Sequence, residues 1–165
     1  MSADAAPEAE RLQGRAEFAL AALSVARVAQ HELLLLTYAF ESALYGSESI
    51  VEAIKAFALA HERATLKVLI NQPRLCVQGG HRLIELGRRL PSRIQFRELL
   101  EERTLTHRGE LLIADRKAVL ERNEPDALFA RQTMNAPLLG KQRGADFDAL
   151  WEESPPATEL RVLGL

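Results

Sequence analysis

One cysteine, Cys76, stands in the chain of 165 residues, so no internal disulfide is available and the fold must hold by packing. Its neighbours Leu75 and Val77 mark it as a small buried hydrophobe rather than a reactive thiol. The four histidines are scattered, none at metal-ligand spacing, so no zinc or other metal site is expected, and no cofactor. No stretch approaches the roughly 20 apolar residues that a membrane span needs. The opening MSADAAPEAERLQGR is acidic and polar where a signal peptide would start basic and turn apolar. These two absences set the expectation of a soluble, cytoplasmic chain of bacterial type. A formal net charge of -2 leaves no global electrostatic footprint for nucleic acid or anionic membrane, so nucleic-acid binding is disfavoured and any basic site must be local. Repeats, heptads and low-complexity runs are missing, as are the glycine-rich phosphate-loop patterns.

What is present is ordinary globular composition, 47% apolar and 27% charged, in a length that suits one domain with a core. Residues 1–8, Ala, Pro and Glu without periodicity, read as a frayed tail, and residues 9–165 as a single domain. From Glu8 to Gln30, Leu12, Ala16, Ala19, Leu20, Leu23 and Ala26 recur near helical spacing and predict a first helix. The run HELLLLTYAF, His31 to Phe40, is apolar rather than alternating, which predicts a strand covered on both faces. Ser47 caps a predicted helix carrying Ile50, Ile54 and Phe57 on one stripe. TLKVLIN then reads as a strand, GGHRLIELGRRLPS as a helix and RIQFREL as a strand. Such alternation argues for parallel pairing through right-handed crossovers.

Beyond Glu102 the rhythm turns to short strands of hairpin character, GELLIAD, KAVLER and DALFARQT. A helix over Gly144 to Glu153, with Trp151 on its apolar stripe, and a closing strand, ELRVLGL, complete the chain. The expected fold is α/β, with a mixed, largely parallel central sheet of about seven strands flanked by helices.

The element order, with a histidine opening the meander at LTHRGELLIADRKAVLER (Leu105 to Arg122), resembles a half-domain of the phospholipase D superfamily over nearly the whole chain. Members of that family carry His-x-Lys-x4-Asp, followed by a Gly-Ser-x-Asn segment. Two copies meet so that one histidine attacks phosphorus, the other protonates the leaving oxygen, and the lysines hold the phosphoryl charge. Aligned on HRGELLIAD, His107 takes the histidine's place and Gly109 the lysine's, while Ala114 falls at the aspartate and Asp115 one residue late, where it needs a bulge or altered turn. RNEP occupies the Gly-Ser-x-Asn region and keeps only Asn123, displaced. Losing the cation removes the group that stabilises charge on the transferring phosphoryl oxygens.

The resemblance therefore implies a catalytically degenerate domain, His107 and Asp115 being vestigial catalytic residues, that acts as a binding, assembly or regulatory module. It implies a homodimer, since a single half-domain has only its twin to pair with. Some proteobacterial chains place such a domain behind an acetyltransferase-like domain, which points to a partner of that kind and an accessory role. The alternative is a phosphodiesterase, or a phosphatidyl or nucleotidyl transferase, using His107 in a composite dimeric site with Arg97, Arg108 or Arg122 in place of lysine. A third reading is an accessory nucleic-acid-binding domain, against which the acidic balance counts. Independently of the motif, RLCVQGGHRL opens a helix at a carboxyl end of the parallel strands, so Gly79, Gly80, His81 and Arg82 form a candidate anion-binding loop, with Arg97 and Asn123 as further ligand contacts. A turn without ligand is the commoner use of such glycines.

Overall fold

The computed structural model describes residues 8–76 and 80–162. Its centre is a seven-stranded mixed sheet: β1 (Glu10–Gln13), β2 (Glu32–Thr37), β3 (Thr65–Ile70), β4 (Ile94–Glu98), β5 (Glu110–Ala114), β6 (Ala118–Arg122) and β7 (Phe129–Thr133), in the order β1-β7-β6-β5-β2-β3-β4. Helices flank it: α1 (Gly14–Val28), α2 (Ser42–Tyr45), α3 (Glu48–Ala60), α4 (Arg82–Arg89), α5 (Pro137–Glu153) and α6 (Thr158–Val162). Among the described residues no helix is long and apolar enough to cross a membrane.

The four leucines of β2 explain the layering. Leu33 and Leu35 join a core with Val25 of α1, Ile54 and Phe57 of α3 and Leu83 of α4, whereas Leu34 and Leu36 point the other way, to Phe147, Leu150 and Trp151 of α5. A strand buried on both faces has no polar alternation to show. Ser47 caps α3 as expected, its hydroxyl accepting from the Ile50 amide.

The mixed α/β sheet agrees with the sequence reading, but its parallel share is smaller. Only β2-β3 and β3-β4 pair in parallel, while β1-β7, β7-β6, β6-β5 and β5-β2 are antiparallel. Two element assignments change. The expected first helix begins only at Gly14 (φ 84°), because Glu10–Gln13, with Leu12 alone buried, pairs with β7 as an edge strand. The expected closing strand is instead α6 over the described part of ELRVLGL, and Leu163–Leu165 lie outside the described residues. The outer edge of β4 is taken by the segment before α6, with Glu98 donating to the Pro155 carbonyl and Ala157 to that of Phe96. Finally, α5 starts seven residues before Gly144, at Pro137, a favoured first helical position.

Candidate functional site at one end of the sheet

Because β5 runs against β2 and β3, its start lies at the same end of the sheet as the finish of β2, β3 and β6. That rim gathers Thr37, Tyr38, Asn71, the stretch His107–Glu110, Arg122 and Asn123. Buried polar side chains concentrate there: Thr37 (1% exposed), Asn71 (3%), His81 (5%) and Glu110 (5%). Buried polar groups need partners, and each of these has them.

Glu110 is the centre. One carboxylate oxygen accepts from the hydroxyls of Thr37 and Tyr45, both at 2.7 Å, and the other from the Tyr38 amide at 2.6 Å. Burial pushes its carboxyl above the ordinary carboxylate range, against the opposing pull of those donors and of the Arg122 charge. The Tyr45 hydroxyl is driven well up by its own burial and by the carboxylate beside it. Asn71 pins the approach to β5, donating to the carbonyls of Thr104 (2.9 Å) and His107 (2.8 Å). The His107 ring sits with Nδ1 3.1 Å from the Arg103 carbonyl and 3.0 Å from the Thr106 hydroxyl. If Nδ1 carries the proton to that carbonyl, Nε2 holds the lone pair.

Gly109 is blocked as well as uncharged. A Cβ there would lie 2.2 Å from the carbonyl oxygen of Arg122 on the neighbouring strand, so no side chain fits without moving β6. Of the arginines named as replacements for the lysine, two are engaged elsewhere, while Arg122 stands beside Glu110 with its buried Nε unpartnered among the described residues. Arg108 pairs with Glu124 at 3.0 Å and lies over the Tyr38 ring; Arg97 donates to the Trp151 carbonyl at 2.7 Å and covers that indole; Arg122 covers Phe18.

Asp115 belongs to the other end of β5, on the order of 20 Å from His107 at about 3.3 Å per residue. It accepts three backbone amides, from Gln30 (2.8 Å), His31 (2.7 Å) and Glu32 (3.0 Å), and so anchors the start of β2. The strand leading to it pairs without interruption on both sides, with no bulge. Counting back from Asp115 by the spacing of the motif puts Arg108 at the histidine and Glu110 at the lysine. Glu110 escaped the sequence reading; its signal was a lone acidic residue leading an otherwise apolar strand.

In the glycine-rich loop, Gly79 lies outside the described residues and Gly80 adopts φ 81°. His81 caps α4: Nδ1 accepts from the Leu83 amide, which fixes the proton on Nε2, donated to the Phe40 carbonyl at 3.1 Å. The ring stacks on Phe40 with centroids 4.2 Å apart, and burial lowers its pKa to about 4. It is thus neutral and fully occupied. Arg82 is exposed at the start of α4 and Arg97 lies on the far edge strand β4, so the structure does not bring these two to one point with His107, whereas Asn123 stands beside Gly109 at the rim. Among the described residues no cluster of His, Cys, Asp and Glu could hold a metal.

Solved structures share this architecture. Nuc from Salmonella typhimurium, a phospholipase D family member, gives a TM-score of 0.64 at 16% identity, over 91% of this chain and 97% of that one. NucT from Helicobacter pylori gives 0.61 at 13% identity, over 90% and 98%. TrmBL2, an archaeal chromatin protein whose structure is described as showing a novel mode of DNA binding, gives 0.63 at 18%, over 94% of this chain and 56% of that one. The fold is that of a phospholipase D-like domain, and at such identities the likeness is one of fold alone. Comparison with curated proteins finds no match. Over residues 14–163 the chain matches the family described as a domain of unknown function, DUF7931, and it belongs to that family.

Proposed function

We propose that this chain is a non-catalytic phospholipase D-like domain that works as a binding or assembly module and pairs with a second copy of itself. One observation carries the reading: the buried Glu110 carboxyl, at the motif's lysine place when the register is fixed on Asp115, beside a Gly109 that has no room for a side chain. Phosphoryl transfer needs preorganised positive charge on the oxygens of the migrating group. A carboxylate there repels it, and a protonated carboxyl supplies no cation. The resemblance to half-domains that meet face to face supports pairing with a twin, and the resemblance to domains placed behind an acetyltransferase-like domain supports service to a partner of that kind.

The test is turnover of a chromogenic phosphodiester between about pH 5 and about pH 9, with light scattering at two protein concentrations. The reading expects a rate equal to that of His107→Ala and a mass twice 18.4 kDa. Hydrolysis that vanishes in His107→Ala, or a phosphohistidine trapped during turnover, establishes the other reading, a phosphodiesterase or transferase with His107 in a dimeric composite site. The hydrogen bond available between Nδ1 and the Arg103 carbonyl favours that second reading, since it leaves Nε2 as a nucleophile.

A further inference from the structure

α5 packs over β2, β5 and β6, leaving the same face of β7 and β1 open. Two adjoining depressions lie there, of about 690 and 400 Å³, sharing Ala9, Glu121, Arg131 and Arg143 in their walls. Within this trough Arg11 and Arg131 stand directly opposite each other across the β1-β7 ladder. Like charges in that position repel and weaken the pair. The carboxylate next in the row, Glu121 of β6, is already held by Arg143 at 2.8 Å. Among the described residues neither Arg11 nor Arg131 has an ion-pair partner. Two residues along β7 on the same face, Phe129 is 41% exposed, with the Arg11 guanidinium 3.6 Å from its ring centroid. The edge strand β1 and its neighbour β7 thus carry two guanidiniums without an ion-pair partner among the described residues, beside an exposed aromatic ring, in a protein whose net charge is -2.

We propose that this trough binds single-stranded nucleic acid, with phosphates on Arg11 and Arg131 and a base stacked against the Phe129–Arg11 pair. Planar guanidiniums suit phosphate oxygens bidentately, and an anion between them removes the repulsion built into the ladder. An aromatic ring beside such a groove is the arrangement that holds unpaired bases without reading sequence. The ring favours a nucleic acid over an acidic peptide, and the run of two joined depressions favours a strand over a lone nucleotide. The global charge argues only against a non-specific footprint over the whole surface. One end of the trough is walled by Arg122 and Asn123, beside the His107–Glu110 rim, but Arg11, Arg131 and Phe129, which carry the proposal, lie outside that rim, so it stands whichever way the phosphodiester assay falls.

The experiment is fluorescence anisotropy of the full chain with a labelled single strand of about 12 nucleotides, a length within known site sizes. Binding is expected to weaken with salt, with a log–log slope near -2 for about three phosphate contacts. Arg131→Gln and Phe129→Ala should each weaken it about tenfold or more, while Arg89→Ala leaves it unchanged. Arg131→Gln should also leave Tm unchanged or raise it by up to about 3 °C, since it removes a like-charge pair; a merely structural arginine would lower it. Should Phe129→Ala disturb the edge, amide shifts on titrating the wild-type chain decide: changes in β1, β7 and the start of α5 support the site. No binding at low salt, equal binding of a polyglutamate peptide or of a mononucleotide, or shifts centred on His107–Glu110 overturn it.

Discussion

Glu110 and His81 are both buried and ionisable, and they lean stability on pH in opposite directions. The native fold raises the Glu110 pKa, so the folded state holds its proton where the unfolded chain has lost it. Stability from this group is full below the ordinary carboxylate range and is lost as pH climbs above it. Glu110→Gln keeps one acceptor oxygen, for the two hydroxyls, turns its NH2 toward the Tyr38 amide, and cannot ionise. It should cost about 1 kcal/mol in acid and less, or nothing, near neutrality, whereas Glu110→Ala, equally unable to ionise, should cost about 2 kcal/mol more than Glu110→Gln throughout by stranding buried donors. Denaturant unfolding of the three proteins between about pH 4 and pH 8 reads this; parallel curves for wild type and Glu110→Gln would remove the carboxyl from the account. His81 runs the other way. Its folded pKa, about 4, lies below that of an unfolded histidine near 6.5, so the unfolded chain binds the extra proton and stability falls as pH drops through that window. His81→Asn keeps an acceptor for the Leu83 amide at the helix start but has no such titration. It should show a flatter stability profile between about pH 6.5 and pH 4, at a fixed cost of about 1–2 kcal/mol for the lost stack on Phe40.

Between elements, the β5-β6 turn is where strand, helix and charge meet. Asp115 and Arg116 both adopt φ 53° at the centre of a tight turn closed by Lys117 donating to the Ala114 carbonyl, in a three-residue connection between the paired Ala114 and Ala118. Arg116 then holds Glu32 at 2.6 Å and Asp148 of α5 through two bonds of 2.8 and 2.9 Å. The helix lies so close that a Cβ at Gly140 would stand 1.9 Å from the Arg116 carbonyl oxygen. Glycine inside a helix ordinarily costs about 1 kcal/mol relative to alanine, so Gly140→Ala in a free helix would stabilise. Here it should destabilise by at least about 2 kcal/mol, read as a fall in Tm of roughly 5 °C or more. A rise in Tm would mean that α5 is not seated on the turn.

The same closeness shows which features were legible in the sequence. Period, caps and turn residues are local, so β2 to β7, the Ser47 cap and the switch from crossovers to hairpins could all be read from neighbours in the chain. Glu10–Gln13 could not, because four residues with one buried leucine become a strand only through a partner more than a hundred positions away. Closure of β4 by Pro155–Ala157 is equally non-local. At the rim, His107 announced itself by residue type and Glu110 did not: its meaning comes from Thr37 and Tyr45, about seventy residues back, and from the register fixed at Asp115.

Across the whole molecule, the sheet separates two cores that differ in size and composition, which raises the question of whether they unfold together. β2 answers it with two adjacent residues. Leu33 and Leu34 are both 0% exposed, yet the first belongs to the core under α1, α3 and α4 and the second to the core under α5. Each Leu→Ala change should cost about 2–5 kcal/mol from lost burial and the cavity left behind, or roughly 5–15 °C in Tm. Since β2, β5 and β6 contribute side chains to both faces, neither core can come apart while the strands between them stay ordered. Both variants should therefore move one transition, with the calorimetric and van't Hoff enthalpies equal, as for the unmodified chain. Were α5 and its layer an independent unit, Leu34→Ala would split the endotherm and Leu33→Ala would not. The backbone hydrogen bonds of the shared strands argue against that asymmetry, because melting either layer alone would leave a flat apolar face of the sheet in water.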